Sequence, residues 1–273
     1  MPQNVMDTDA HAIYGADDFD PRPLARDLAP LDPAVVPPED LSICFGGGDF
    51  AAVGARQVAF LRAFADLKPT DRVLDVGCGA GRTAAALTRY LGSGGSYEGF
   101  DVFPLGVEWC AEHVTPRYPD FRFQSVEVFN KTYNPYAATL ARDLRFPYPD
   151  ASFDVAVLNS VFTHMLPEDY VNYVGELARV LAPGGRAFVT YFLLDDACRE
   201  AAAAGRTTPA FPHAYGSFRV EDPANMEDAV AYEERFVRAV HASAGLEVTR
   251  VRPGRWRGIH SRHVQDQVYA ARK

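Results

Sequence analysis

Two acids and a short run of glycines carry the chemistry available to this sequence. Asp75 stands just before Gly77-Cys78-Gly79-Ala80-Gly81, and Asp101 follows the last of these glycines by twenty residues. Val73, Leu74 and Val76 read as a buried strand and Thr83 to Leu87 as a helix, so the glycines form the turn between them. Such a turn presents unpaired backbone N–H groups and the positive end of a helix at a sheet edge, which makes a small-molecule site. A dinucleotide fingerprint would place a third glycine at position 82, where this chain has Arg82. Asp75 would repel a pyrophosphate but suits a ligand carrying an ammonium group. Asp101 has the spacing at which a carboxylate at the tip of a second strand meets a ribose hydroxyl pair.

The elements that must position these groups alternate between strand and helix. A helix over about Ala51 to Ala65 precedes the first strand, and Lys68-Pro69-Thr70-Asp71 ends it. Ser96 to Val102 is a second strand, a helix runs around Val107 to His113, and Phe121 to Val128 is a third strand by its alternation. Phe129 to Arg145 is long for a connection, with many polar-tipped side chains. Asp150 to Leu158 gives a turn and a buried fourth strand ending at Asn159-Ser160, followed by a helix from Pro167 with apolar residues at three- and four-residue spacings. Pro183-Gly184-Gly185 stops that helix before a fifth strand, Arg186 to Phe192. Leu193 to Asn225 reads as irregular, Asp228 to Ala244 as a helix, and Leu246 to Val251 with Gln267 to Ala270 as two last strands. Residues 1–40, rich in proline and aspartate, read as an arm or lid, with one domain over 41–273.

The succession D-V-G-C-G-A-G, E-G-F-D, S-F-D-V-A-V-L-N-S and R-V-L-A-P-G-G-R resembles the class I S-adenosylmethionine-dependent methyltransferases from about Gly46 to Phe192. S-V-F-T-H-M with the loop N-K-T-Y-N-P is similar, more narrowly, to their type 11 group. The resemblance implies an α/β Rossmann-like fold: a mostly parallel seven-stranded sheet in the order 3-2-1-4-5-7-6, last strand antiparallel, with helices on both faces. It implies S-adenosyl-L-methionine held by Asp75, Gly77, Cys78, Gly79, Gly81 and Arg82, by Asp101 at the ribose, and by Asn159 and Ser160 after strand four. Val102 or Phe103 would flank the adenine. Glu127 and Val128 would meet its edge, with Asp143 competing for the acidic role. Gly46 to Gly48 could close over the amino-acid end, and the 129–145 loop and 193–225 would wall the acceptor.

A hydroxyl acceptor must lose a proton to a base within hydrogen-bond reach, and histidine fits that task best near neutrality. His164, after strand four, is the candidate base, with a positioning role as the alternative and Tyr133 as a second catalytic candidate. Asp195, His213, Tyr215, His260 and His263 stand in reserve. Trp256 with Tyr133, Tyr136, Phe211 and Tyr215 offers either stacking surface for an acceptor or ordinary core. Strand four ends without a carboxylate, so no metal is expected. The expected activity is O-methylation of a sugar or another small natural product. A nitrogen, carbon or carboxylate acceptor, or a cofactor-binding but inactive partner subunit, is the alternative.

Composition narrows the setting. A formal net charge of −9 over 273 residues argues against nucleic-acid binding by phosphate neutralisation; the basic stretch Arg250 to Arg262 could meet an anionic substrate group or simply be solvated. Four scattered cysteines indicate neither disulfides nor zinc. Without a bilayer-length apolar run or a leader pattern, a cytoplasmic protein with no membrane partner is expected, and a homodimer is compatible with the composition.

Overall fold

The computed structural model describes residues 19–273. Its centre is a seven-stranded sheet: β1 (Arg72–Val76), β2 (Ser96–Asp101), β3 (Phe121–Ser125), β4 (Phe153–Leu158), β5 (Leu181–Tyr191), β10 (Leu246–Arg252) and β11 (Asp266–Arg272). Their order is β3-β2-β1-β4-β5-β11-β10, which is the expected 3-2-1-4-5-7-6 when the sheet's strands alone are counted. β11 runs antiparallel to both β5 and β10, and the others pair in parallel.

Period-two alternation gives the sheet two buried faces. Val73, Val155, Val157, Phe188 and Tyr269 face the layer containing α3 (Phe50–Phe64) and α4 (Arg82–Leu87). Leu74, Val76, Ala156, Leu158, Ala187 and Val189 face the other layer, where α6 (Pro167–Val180) contributes Tyr170, Tyr173, Val174 and Leu177. Asp49 caps α3 by accepting from the Ala52 N–H at 2.7 Å. Gln57 is a polar residue on the buried stretch of that helix, beside Val58 and Leu61.

Several boundaries differ from the sequence reading. β3 stops at Ser125, three residues early: after a last bond from the Val126 N–H to the Asp101 carbonyl the chain turns into the long loop, which is tied by a bridge between Val128 and Thr139. β5 starts at Leu181, so Pro183-Gly184-Gly185 lies within the strand rather than ahead of it. The region 193–225 is not irregular. It holds β6 (Leu193–Leu194), α7 (Asp196–Ala203), β7 (His213–Tyr215) and β8 (Phe218–Val220). With β9 (Val230–Glu233), these strands make a second sheet in the order β6-β9-β8-β7. β9 also occupies the start of the expected 228–244 helix, which is confined to α8 (Glu234–Ser243).

Residues 1–18 of the expected arm lie outside the described residues. Beyond them, α1 (Arg22–Arg26) has Pro23 in its first turn, and the following chain buries Leu28 and Val35 against the α3 layer. α2 (Glu39–Ile43) leads to the glycines before α3, and α5 (Pro104–His113) follows β2.

Candidate functional site

The carboxyl ends of β1, β2 and β4 open into a cavity of about 510 Å³. This is where open α/β sheets place ligands. Asp75, at the end of β1, is buried, and its Oδ2 accepts from the Tyr97 hydroxyl at 2.7 Å. Burial pushes its carboxyl up to about 7, with the Tyr97 and Thr83 hydroxyls opposing the rise and the Asp101 charge adding to it. Asp101, at the end of β2, accepts from the Gly79 N–H at 2.7 Å and the Phe103 N–H at 2.9 Å. Burial raises its carboxyl too, and these backbone donors partly offset the rise.

The glycine turn between the two acids differs from expectation in one respect. Most of its N–H groups are engaged: Gly77 and Cys78 donate to the Phe100 carbonyl, Gly79 to Asp101, and Gly81 to the Cys78 carbonyl. A turn with most of its donors spent is a poor cradle for pyrophosphate. What it offers is close approach. Gly77 and Gly79 have φ of +76° and +53°, and a Cβ there would sit 2.7 Å from Val161 and from the Phe45 ring respectively.

Of the expected cofactor residues, Asp75, Gly77, Cys78, Gly79, Arg82, Asp101, Val102, Val128, Asn159 and Ser160 line this one cavity. Gly81 lies behind the wall as the left-handed N-cap of α4, packed on Cys110. Phe103 also stands back from it, edge-on to Phe45 and Tyr133. Glu127 does not face the cavity. After β3 ends, Val126 and Val128 turn inward and Glu127 points to solvent, and Asp143 is likewise exposed outside the wall. Leu140, Ala141 and Arg142 hold that part of the lining instead.

Both catalytic candidates line the cavity. His164 Nδ1 lies 3.0 Å from the Glu227 carbonyl oxygen. A carbonyl can only accept, so Nδ1 carries the proton and the neutral ring keeps its lone pair on Nε2. Tyr133 donates to the Cys44 carbonyl at 3.3 Å and stacks on Phe45. Ser160, at φ +59°, is fixed by the Thr190 hydroxyl, which accepts its N–H, and by Gln265, which accepts its hydroxyl. Gly46 of the 46–48 glycines reaches the wall, and its carbonyl accepts from Arg82 at 2.6 Å.

The reserves lie elsewhere. Asp195, His213, Tyr215, His260 and His263 are absent from the lining, and so is all of 193–225. Phe192, Phe211 and Trp256 pack edge to edge in a small core of their own, which uses up the aromatic surface of that region.

Gln57, Asp169 and Glu227 stand in the wall and were not singled out in the sequence. Gln57 Oε1 accepts from the Thr83 hydroxyl, while its Nε2 is buried with no partner. A polar residue inside an apolar helix face was the available signal. Asp169 accepts from the Arg142 N–H at 2.8 Å, and burial raises its carboxyl. Burial, with Asp169 nearby, raises that of Glu227.

Comparison with known proteins fits this geometry. Residues 55–251 match a family described as a methyltransferase domain. The chain belongs to the S-adenosylmethionine-dependent methyltransferases. It is 38% identical over 114 residues to a probable phthiotriol/phenolphthiotriol dimycocerosates methyltransferase 2 of Mycobacterium ulcerans, covering 42% of this chain and 36% of that protein. Against the 27-O-demethylrifamycin SV methyltransferase of Amycolatopsis mediterranei, identity is 34% over 129 residues, covering 47% and 41%. The matches thus span about two-fifths of the length of these relatives. In fold, the methyltransferase is similar to the PH0226 protein of Pyrococcus horikoshii OT3, at TM-score 0.56 and 15% identity over 84% of this chain and 93% of that one.

S-adenosylmethionine is the cofactor of this class, and the residues present fit it. Orphaned Gln57 Nε2 and the Arg82 guanidinium, whose Nε is also unpartnered, suit a carboxylate; Asp75 suits an ammonium and Asp101 a hydroxyl pair. Among the described residues no helix is long and apolar enough to cross a membrane, and no cluster of His, Cys, Asp and Glu could hold a metal ion.

Proposed function

We propose that this methyltransferase transfers a methyl group to a hydroxyl oxygen of a neutral small molecule, a sugar or another natural product. The observation that carries the reading is that Asp75 and Asp101 open onto one cavity with a glycine-rich turn between them, while His164 and Tyr133 stand in the same wall. S-adenosylmethionine, when bound, supplies the electrophilic methyl. Gln57 and Arg82 hold its carboxylate, Asp75 faces its ammonium, and Asp101 accepts from its ribose hydroxyls. Asp169 and Glu227 share the remaining wall with Arg142, so the acceptor side is polar with charges of both signs and suits a neutral hydroxyl compound.

Radiolabelled methyl transfer to a panel of glycosides, phenols and fatty acids tests the reading. Label on hydroxyl compounds supports it; label only on carboxylates, or on nothing, overturns it. The cofactor half is tested separately by calorimetric titration with S-adenosylhomocysteine. Asp101→Ala is expected to weaken that binding at least tenfold, about 1.4 kcal/mol. Unchanged affinity removes Asp101 from the ribose role.

Asp75 gives the site a pH signature. With its carboxyl raised to about 7, the group is largely neutral at pH 6 and ionised at pH 8. Affinity for the ammonium-bearing ligand should therefore rise across that interval, and Asp75→Asn should flatten the profile. The sign for stability is opposite. A buried carboxyl with a raised pKa favours the ligand-free fold below the ordinary carboxylate range, and that contribution is lost as pH rises toward 7. Thermal melts with and without S-adenosylhomocysteine at pH 6 and 8 check both signs.

A further inference from the structure

Outside the cavity, a second concavity of about 250 Å³ lies between α1 and the start of α3. Its floor is apolar and shallow-sided, made by Pro21, Ala25, Ala52 and Ala55, and its rim is Arg22, Arg26 and Arg56. The acids on the neighbouring stretches are already engaged. Asp20 binds Arg22, Asp27 lies 3.9 Å from Arg62, and Asp49 caps α3. Among the described residues, neither Arg26 nor Arg56 has an ion-pair partner, and the same holds for Arg255, whose charge bears on Arg56. Arg56 is half-buried, so its charge is partly desolvated beside another cation. In a chain of net charge −9, this concentration of uncompensated guanidinium runs against the global balance.

We propose that the α1–α3 groove binds a phosphate-type oxyanion, with Arg26 and Arg56 as its principal ligands and Arg22 at the rim. Planar guanidinium groups bind tetrahedral oxyanions through paired N–H donors, and an anion here would neutralise the charge that burial and Arg255 make costly at Arg56. The alanines leave room for the anion to approach the Arg56 head group between the two helices. The groove is separate from the cofactor cavity, with no lining residue in common, so this site stands whether or not the methyl-transfer reading holds.

Calorimetric titration of the full chain with inorganic pyrophosphate, at ionic strength held constant with sodium chloride, tests the proposal. The wild type is expected to show saturable binding at one site. The double variant R26Q/R56Q should bind at least tenfold more weakly, and K273Q, at the far end of the chain, should match the wild type. Far-UV circular dichroism and the melting temperature of R26Q/R56Q serve as the folding control and should match the wild type, since Arg56 also bears electrostatically on Arg82 in the cofactor cavity. No saturable binding by the wild type, or equal affinity of R26Q/R56Q and wild type, overturns the proposal. Equal weakening in K273Q also overturns it, because that would mark diffuse charge attraction and not a site.

Discussion

Replacing Asp266 with alanine is expected to lower the stability of the fold by about 3–5 kcal/mol, the usual cost of breaking a buried ion pair from one side. Asp266, the first residue of β11, is fully buried, and its two oxygens serve five donors. These are the backbone N–H groups of Leu193 and Gly254, the Trp256 indole N–H, and the Arg257 guanidinium through Nε and its NH2 nitrogen. Alanine would leave Arg257, itself almost buried, with Asp195 as its remaining carboxylate partner, and two backbone donors without water. Asp266→Asn keeps the volume and one acceptor, so it should fall between wild type and alanine. Urea unfolding with an unchanged denaturant slope gives the measurement. A loss below about 1 kcal/mol for the alanine variant would mean that water or rearranged side chains satisfy these groups.

The same substitution should be felt in the cavity. Gln265, next in the chain, accepts from the Ser160 and Thr190 hydroxyls, and Ser160 sits in the cavity wall with a left-handed backbone. The antiparallel end of the sheet is thus joined to the loop after β4 by side-chain bonds that no local pattern announces.

That separation explains what could be read beforehand. The sheet order was legible because each strand carries its own apolar run and because the glycine turn with its two acids marks β1 and β2. Asp75 and Asp101 needed only spacing along the chain, since a strand and its following turn fix where each points. Glu127 depended on where β3 ends, and that is decided by the tethering of Val128 to Thr139 across a long loop. Glu227 reaches the wall from more than sixty residues beyond His164, carried there by the second sheet, whose short strands 193–194, 213–215 and 218–220 have no distinctive pattern. The same sheet draws Phe211 and its aromatic neighbours into a separate core, so composition alone suggested an acceptor pocket where there is packing. Gln57 was readable in principle, as the one amide among apolar neighbours on the inner face of α3.

His164→Ala is expected to reduce turnover by about a hundredfold to ten-thousandfold, the range for a positioned acid–base group, while leaving S-adenosylhomocysteine affinity within about twofold, since no cofactor-facing bond made by His164 is needed in this reading. The tautomer of His164 decides its role. Nδ1–H donates to the Glu227 carbonyl, so Nε2 is the atom able to receive a proton from an acceptor hydroxyl as that oxygen becomes nucleophilic. A base and a purely positioning histidine then differ in observable ways. If Nε2 takes the proton, His164→Gln loses kcat with KM little changed; if the ring only positions, His164→Gln changes KM more than kcat. Added imidazole should restore part of the turnover of the alanine variant in the first case alone. Full turnover in His164→Ala would remove the residue from both roles and turn attention to Asp169 and Glu227, whose carboxyls face the same space with their proton affinities already raised by burial.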